Sequence, residues 1–265
     1  MKITVQDVIR ELIQPVGPLE NTVDTLKFGD PAAKVNGIVT TFMPSQRVLE
    51  EAAAWGANLV IAHEAPFYHH RDAFAETLES DPVVRAKRGF IQESGLAIFR
   101  FHDYWHRYRP DGIMEGLIEA LGWSAYAMEH LPTASIAEIP PMTALEAAEQ
   151  AKKRLGIRYV RFTGNPDAIC RRVGLMAGYR GGGTHAIPLI EQYQLDLVLC
   201  GEGPEWETPE YIRDAARQGR GKALITLGHA ESEAAGMKLL ADRLQARYPG
   251  LPVRYIAEEP IFRIL

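Results

Sequence analysis

Cysteine is almost missing: Cys170 and Cys200 are the only two in a chain of 265 residues. Both lie in apolar, strand-like stretches and they form no C-x-x-C pair. A disulfide framework and a thiolate metal clip are therefore excluded, and two reduced, buried thiols in a cytoplasmic protein are expected. Long apolar runs are missing as well, since nothing approaches the ~20 residues of a membrane span. The first stretch, MKITVQDVIRELIQ, alternates apolar and charged residues and reads as an amphipathic helix rather than a secretory leader. Positive charge is not in excess. The 29 Lys and Arg against 34 Asp and Glu give a formal net charge of -5, which argues against nucleic acid as the main partner, because neutralising phosphates takes clustered cations. The short basic stretches 85–88 and 171–172 read as solvated faces. Nucleotide-binding fingerprints and the nucleophile elbow are absent too.

What is present is ordinary for a folded protein, with 46% apolar and 24% charged residues. Short apolar runs alternate with longer segments of helical period, which predicts an α/β fold with largely parallel sheets. Strands are expected at 37–42, 58–62, 96–101, 173–177, 195–200 and 223–227, with two more at 159–163 and 253–256. Helices are expected at 45–55, 82–93, 113–121, 143–155, 209–218 and 232–246. Ser45 and Thr143 fit N-caps, and Gly56, Gly122 and Gly156 stand where left-handed C-caps belong.

A weak internal duplication is visible. GANLVIAHEAP in the first half aligns with QLDLVLCGEGP in the second, placing Glu64 opposite Glu202 and Pro66 opposite Pro204. One helix later GLAIFRFHDYWH aligns with GKALITLGHAESE, placing His102 opposite His229. Two related α/β modules are expected, 1–130 and 131–265, with a linker near 124–141 marked by Pro140 and Pro141.

Ligands of open α/β sheets bind beyond the carboxyl ends of the strands. Three predicted strands end in metal-ligand residue types: LVIA runs into His63 and Glu64, AIFRF into His102 and Asp103, ALITL into Gly228 and His229. His229 and Glu233 are spaced i, i+4, so one helix face presents both, and His102 and His106 share that spacing. The expected metal ligands are His63, Glu64, His106, His229 and Glu233, with His102 and Asp103 as further ligands or supports. Mixed imidazole and carboxylate donors suit Zn, Mn, Fe, Co or Ni rather than Mg or Ca. Such a centre performs hydrolysis by default.

Other features carry less. AGYRGGGTH (177–185) reads as a tight turn, with phosphate binding as the alternative. Arg100, Arg107 and Arg109 flank the second ligand segment and fit an anion-receiving rim or a solvated one. Tyr104 and Trp105 read as core packing or, less readily, base stacking. Glu202 reads as a support for a ligand.

Three segments, VNGIVTTFMPSQRVLEEAAAWGANLVIAHEAPFY, FRFHDYWHRYRPDGIMEGLIEALGW and LGHAESEAAGMKLLADRL, resemble the Nif-three-like dinuclear metal-centre family, whose members are often named GTP cyclohydrolase 1 type 2. The likeness runs from about Asn21 to the C-terminus. It implies two α/β modules, a site for two divalent transition-metal ions between them, and a ring-shaped homohexamer. The family's His-His corresponds to His63 and Glu64, its H-x-x-x-D to His102 and His106, and its G-H-x-x-x-E to His229 and Glu233. The chain departs twice: Glu64 stands for a His and His106 for an Asp. The ligand types stay at three imidazoles and two carboxylates, so the swaps are expected to compensate one another. The function expected is a metal-dependent hydrolase, GTP cyclohydrolase-like by resemblance, acting on a small nucleotide, phosphorylated or heterocyclic substrate. The alternative is a non-catalytic metal-binding regulatory or interaction protein.

Overall fold

A computed structural model describes residues 3–71 and 78–265, apart from the side chain of Ala127. The chain divides into two compact units, one built from Met1–Gly112 with Met237–Leu265 and the other from Ile113–Gly236.

The first unit carries strands β1 (Leu26–Phe28), β2 (Ile38–Thr41), β3 (Leu59–Ala62), β4 (Ala97–Arg100) and, from the C-terminal segment, β11 (Val253–Tyr255), in the order β1-β4-β3-β2-β11. The second carries β5 (Ala127–His130), β6 (Ser135–Thr143), β7 (Arg161–Gly164), β8 (Ile169–Met176), β9 (Leu197–Cys200) and β10 (Ala223–Thr226), in the order β5-β6-β8-β9-β10-β7. Each sheet centres on three consecutive parallel strands, β2-β3-β4 and β8-β9-β10. In each, the strand just before that run returns antiparallel to its last member, β1 on β4 and β7 on β10. The two sheets thus share this arrangement of four strands.

Parallel strands must be covered on both faces, and the sequence supplies the cover. Strands β2, β3, β4, β9 and β10 are buried at every position. In the first unit Val39, Val60 and Ile98 pack with Val48 and Leu49 of helix α2 (Gln46–Trp55) and Ile91 of helix α3 (Pro82–Ser94). In the second, Val198 and Leu224 pack with Ile190 and Ile212. Helix α2 starts where Ser45 Oγ accepts from Val48 N–H and stops at Gly56, whose φ of 87° is left-handed. Thr143 and Glu146 form a capping box at the head of the helix Ala144–Leu155, which ends at Gly156 with φ 69°.

Two expectations about the middle of the chain are corrected. Residues 124–141 are no linker, because β5 and β6 pair there as antiparallel strands of the second sheet. Pro140 and Pro141 suggested a break, and they sit where the β6–β8 register shifts, between Glu138 and Met142, so no ladder N–H is needed there. The division also differs from a boundary at 130/131. Residues 113–130 lie in the second unit, and β11 pairs in parallel with β2 of the first.

Burial raises both thiols, Cys170 to about 12 with help from Asp196, and Cys200 to about 11. At pH 8 the nucleophilic thiolate is scarce at both. An aromatic disulfide reagent is therefore expected to titrate no thiol in the native protein and two per chain in denaturant; rapid native labelling would contradict the buried placement.

Among the described residues no helix is long and apolar enough to cross a membrane.

Candidate metal centre

In the first unit, Ala62 of β3 lies opposite Arg100 of β4, so the chain leaves two parallel neighbours side by side. His63 and Glu64 follow one strand, and Phe101 and His102 the other. Directly after comes a short helix, α4 (Asp103–Arg107), on which His106 stands one turn beyond His102. Its N-terminus is held from outside: buried Asp24 accepts from the N–H groups of His102 and Tyr104, both at 2.9 Å. Burial raises the Asp24 carboxyl, and the backbone N–H groups oppose that rise.

These elements converge His63, His102 and His106, each offering a ring nitrogen within 4.8 Å of the others. The rings of His63 and His102 stack at 4.5 Å, and that of His106 meets both edge-on at 5.0 and 4.9 Å. Every ring has its Nδ1 engaged by an acceptor. His63 Nδ1 donates to the Phe101 carbonyl at 3.2 Å. His102 Nδ1 donates to Asp103 Oδ1 at 3.0 Å, and His106 Nδ1 to Asp111 Oδ2 at 2.9 Å. A carbonyl or carboxylate can only accept, so these contacts select the tautomer with the proton on Nδ1, in which the lone pair lies on Nε2.

Asp103 is accounted for as a support for His102. Its other oxygen accepts from Thr22 Oγ at 2.9 Å and Val23 N–H at 3.1 Å. Burial works to raise its carboxyl, but these donors hold it well below the usual carboxylate range.

Glu64 is gripped by Arg100, a fully buried strand residue. Arg100 Nη2 donates to Glu64 Oε2 at 2.8 Å and Nε to the His63 carbonyl at 3.2 Å. The same guanidinium donates to the His70 carbonyl and to His70 Nδ1, the latter at 3.1 Å. Glu64 Oε1 faces His102 Nε2 at 3.8 Å. That is long for a hydrogen bond, but two donors each ~2 Å from one ion stand roughly 3–4 Å apart. Glu64, His70 and His102 therefore form a second group with donor atoms in range. His70 fits it poorly as a ligand, since its Nδ1 faces a cation that can only donate. Burial and that guanidinium hold the His70 imidazole below its usual pKa.

In the second unit β9 and β10 run in parallel with Cys200 opposite Thr226, and Glu202 and His229 follow them. His229 Nδ1 donates to Glu202 Oε1 at 2.8 Å, and its Nε2 lies 3.3 Å from Glu233 Oε2, one helical turn on in the helix His229–Arg247. Burial opposes a charged imidazole, but the hydrogen bonds to Glu202 and Glu233 push His229 up to about 10. The intervening Ser232 is buried. Its Oγ donates to the His229 carbonyl at 2.8 Å and accepts from Gly178 N–H at 2.9 Å.

The structure thus gathers His63, Glu64, His102 and His106 in one unit and His229 and Glu233 in the other. Three histidines of the first unit have Nδ1 held by a fixed acceptor; His229 has Nδ1 on Glu202 and Nε2 on Glu233 through a proton that a cation would replace, and the donor set fits a transition-metal cation. Reading the sequence gave Arg100 a different role and assigned none to Asp111 or His70. For Arg100 a signal existed: a lone charge inside the apolar run AIFRF. It is no anion-receiving rim, being buried and paired. Tyr104 and Trp105 are core residues, 5% and 0% exposed. The glycine-rich turn is a single 3-10 turn, Gly178–Gly181, leading into the helix Gly183–Gln192, and Gly183 N–H already donates to the Glu207 carboxylate at 2.6 Å.

Duplicated strand order with histidine and carboxylate at strand ends defines a class of two-unit α/β proteins bearing a candidate metal site. Within that class the chain belongs to the Duf34/NIF3 (NGG1p interacting factor 3) family, whose pattern matches residues 7–260. It is 22% identical over 216 residues to a Clostridium perfringens protein named GTP cyclohydrolase 1 type 2 homolog, covering 78% of this chain and 77% of that one. The fold is shared with a Bacillus cereus protein related to NIF3, at a TM-score of 0.79, 15% identity and full coverage of both chains. It is also shared with a hypothetical protein of Staphylococcus aureus, at 0.75, 18% and full coverage of both.

Proposed function

We propose that this protein is a metal-dependent hydrolase in which His63, Glu64, His106, His229 and Glu233 are ligands of two divalent transition-metal ions, with His102 as a sixth ligand. The observation that carries the reading is the common posture of the histidines. His63, His102, His106 and His229 each give Nδ1 to an acceptor at 2.8–3.2 Å, which turns each Nε2 away from that acceptor, in His229 toward Glu233. Surface histidines have no reason to share that posture. When bound, such ions supply Lewis acidity toward a carbonyl or phosphoryl oxygen and a source of hydroxide near neutral pH. The chain's own part is to fix the donors: Phe101, Asp103, Asp111 and Glu202 set the tautomers, and Asp24 and Ser232 hold the backbone that carries them.

The substrate class is small and nucleotide-like, phosphorylated or heterocyclic. GTP itself enters only through the name of the Clostridium relative. The family likeness supports action in the cytoplasm as a hexameric ring.

Elemental analysis of protein purified without chelator tests the metal assignment. Up to two transition-metal ions per chain are expected, with His63→Ala and His229→Ala each losing metal; full content in His229→Ala would defeat it. A screen over nucleotides and phosphoesters tests the chemistry. Turnover that a chelator abolishes and a divalent ion restores supports it, and turnover indifferent to both refutes it.

A further inference from the structure

Two candidate ligands of the first unit carry a buried, charged partner on the side away from the donor atom. Glu64 has Arg100, at 2.8 Å, with side chains 17% and 0% exposed. His106 has Asp111, at 2.9 Å, with side chains 11% and 9% exposed. We propose that Arg100 and Asp111 are positioning residues that set how Glu64 and His106 donate to a cation. Arg100 holds Oε2 of Glu64 so that Oε1 alone is offered with its charge offset. Asp111 accepts the Nδ1–H of His106 so that Nε2 is offered at raised donor strength. The inference rests on reading those two side chains as ligands.

The Arg100 fork cannot turn away from Glu64. Its other donors are committed to the His63 carbonyl at 3.2 Å and to His70, and the side chain has no exposed surface. A free carboxylate can take an ion with both oxygens and bring a full negative charge. With Oε2 bound to a guanidinium, Glu64 is left as a one-point donor of low net charge, which is how an imidazole behaves. Only Oε1 faces His102 Nε2, at 3.8 Å.

His106 is modified in the opposite sense. The neighbouring ring of His63 leans on a neutral acceptor, the Phe101 carbonyl, whereas His106 leans on a carboxylate. An anionic acceptor raises the basicity of the distal nitrogen more than a neutral one does. The cluster therefore contains a carboxylate softened toward neutrality and an imidazole pushed toward anionic character.

The test uses the full chain and cobalt(II) or zinc alone, with affinity read by competition against a chromophoric chelator and geometry by the cobalt absorption bands. Asp111→Asn keeps an oxygen that accepts from His106 and removes only the charge. It is expected to bind zinc about 10- to 100-fold more weakly, with an unchanged urea midpoint. Glu64→His leaves the buried guanidinium without its carboxylate and is expected to lose roughly a hundredfold in affinity. Adding Arg100→Met to it should return at least about tenfold of that loss, with the cobalt bands moving back toward wild type. Glu64→His leaves a buried guanidinium unpaired, so urea midpoints of both proteins are measured first and the affinities are read where each is fully folded. The double change Glu64→His with His106→Asp is expected to stay weak, because Arg100 loses its acceptor and a second carboxylate is set against Asp111.

An Asp111→Asn protein with wild-type affinity overturns the His106 half. A Glu64→His, Arg100→Met protein no better than Glu64→His overturns the Glu64 half. Recovery in Glu64→His, His106→Asp with Arg100 and Asp111 untouched overturns both. Wild-type protein that takes up no cobalt defeats the metal reading itself, an outcome distinct from normal wild-type binding beside unaffected variants.

Discussion

Arg100→Met is expected to cost the protein about 3–5 kcal/mol of stability, the usual result of removing one partner from a buried ion pair, read as a lowered urea midpoint at unchanged slope. Arg100 is fully buried and Glu64 is 17% exposed at the side chain. Removing the guanidinium therefore leaves the Glu64 carboxylate, the His63 carbonyl and the His70 carbonyl short of a donor together. The size of the effect comes from that desolvated remainder rather than from the attraction of the pair. Making the pair apolar, by adding Glu64→Leu, is accordingly expected to recover most of the loss. A surface pair in the same unit supplies the contrast. Lys238 and Asp242 lie 3.2 Å apart with side chains 64% and 65% exposed, and Asp242→Asn should change stability by less than about 0.5 kcal/mol. A loss below about 1 kcal/mol for Arg100→Met would mean that water reaches Glu64 far more freely than its burial indicates.

The parallel core was legible in the sequence because its strands are short, continuous apolar runs. Strands β2, β3, β4, β9 and β10 all fall within the expected runs. Of the antiparallel strands, β7 overlaps the run expected at 159–163, but β1 and β6 were not legible. Leu26–Phe28 is only half-buried, and Ser135–Thr143 holds two prolines at a register shift, so neither shows the apolar run that marks a central strand. The strand-end histidines were legible because a ligand-type residue directly after an apolar run has few structural reasons to be there. Arg100 and Asp111 were not, since their meaning lies in which atoms they touch after folding. Glu64 and His106, read along the chain, looked like two departures that compensate one another. In the folded protein each has its own buried, charged partner, and no pattern of spacing reports that. Glu202 reads from the sequence as a support for a ligand, and in the fold it accepts from His229 across two parallel strands, a pairing the spacing does not show.

Gly178→Ala is expected to disable the His229–Glu233 pair while leaving the fold standing. Gly178 has φ of 65°, a left-handed conformation that costs an L side chain about 1–2 kcal/mol. The second penalty is local. A Cβ at this position would lie 2.2 Å from Glu233 Oε1, 3.0 Å from its Cδ and 3.2 Å from His229 Nε2. The atoms it meets are the far ends of two side chains, so the backbone need not move but the donors must. Glu233 is 2% exposed and has little room to shift without turning its carboxylate away from His229. The expected result is a loss of metal comparable to that of His229→Ala, with a stability loss of only about 2 kcal/mol. Gly156→Ala is the matched control. Its φ is 69°, it ends a helix of the same unit, and nothing lies within 4 Å of the added carbon. It carries the backbone cost without the intrusion and should keep its metal. If both variants lose metal equally, the effect is general destabilisation and the pair is no ligand set. If both keep it, Gly178 does not serve to leave space for Glu233, and the donors at that turn have a freedom their packing denies.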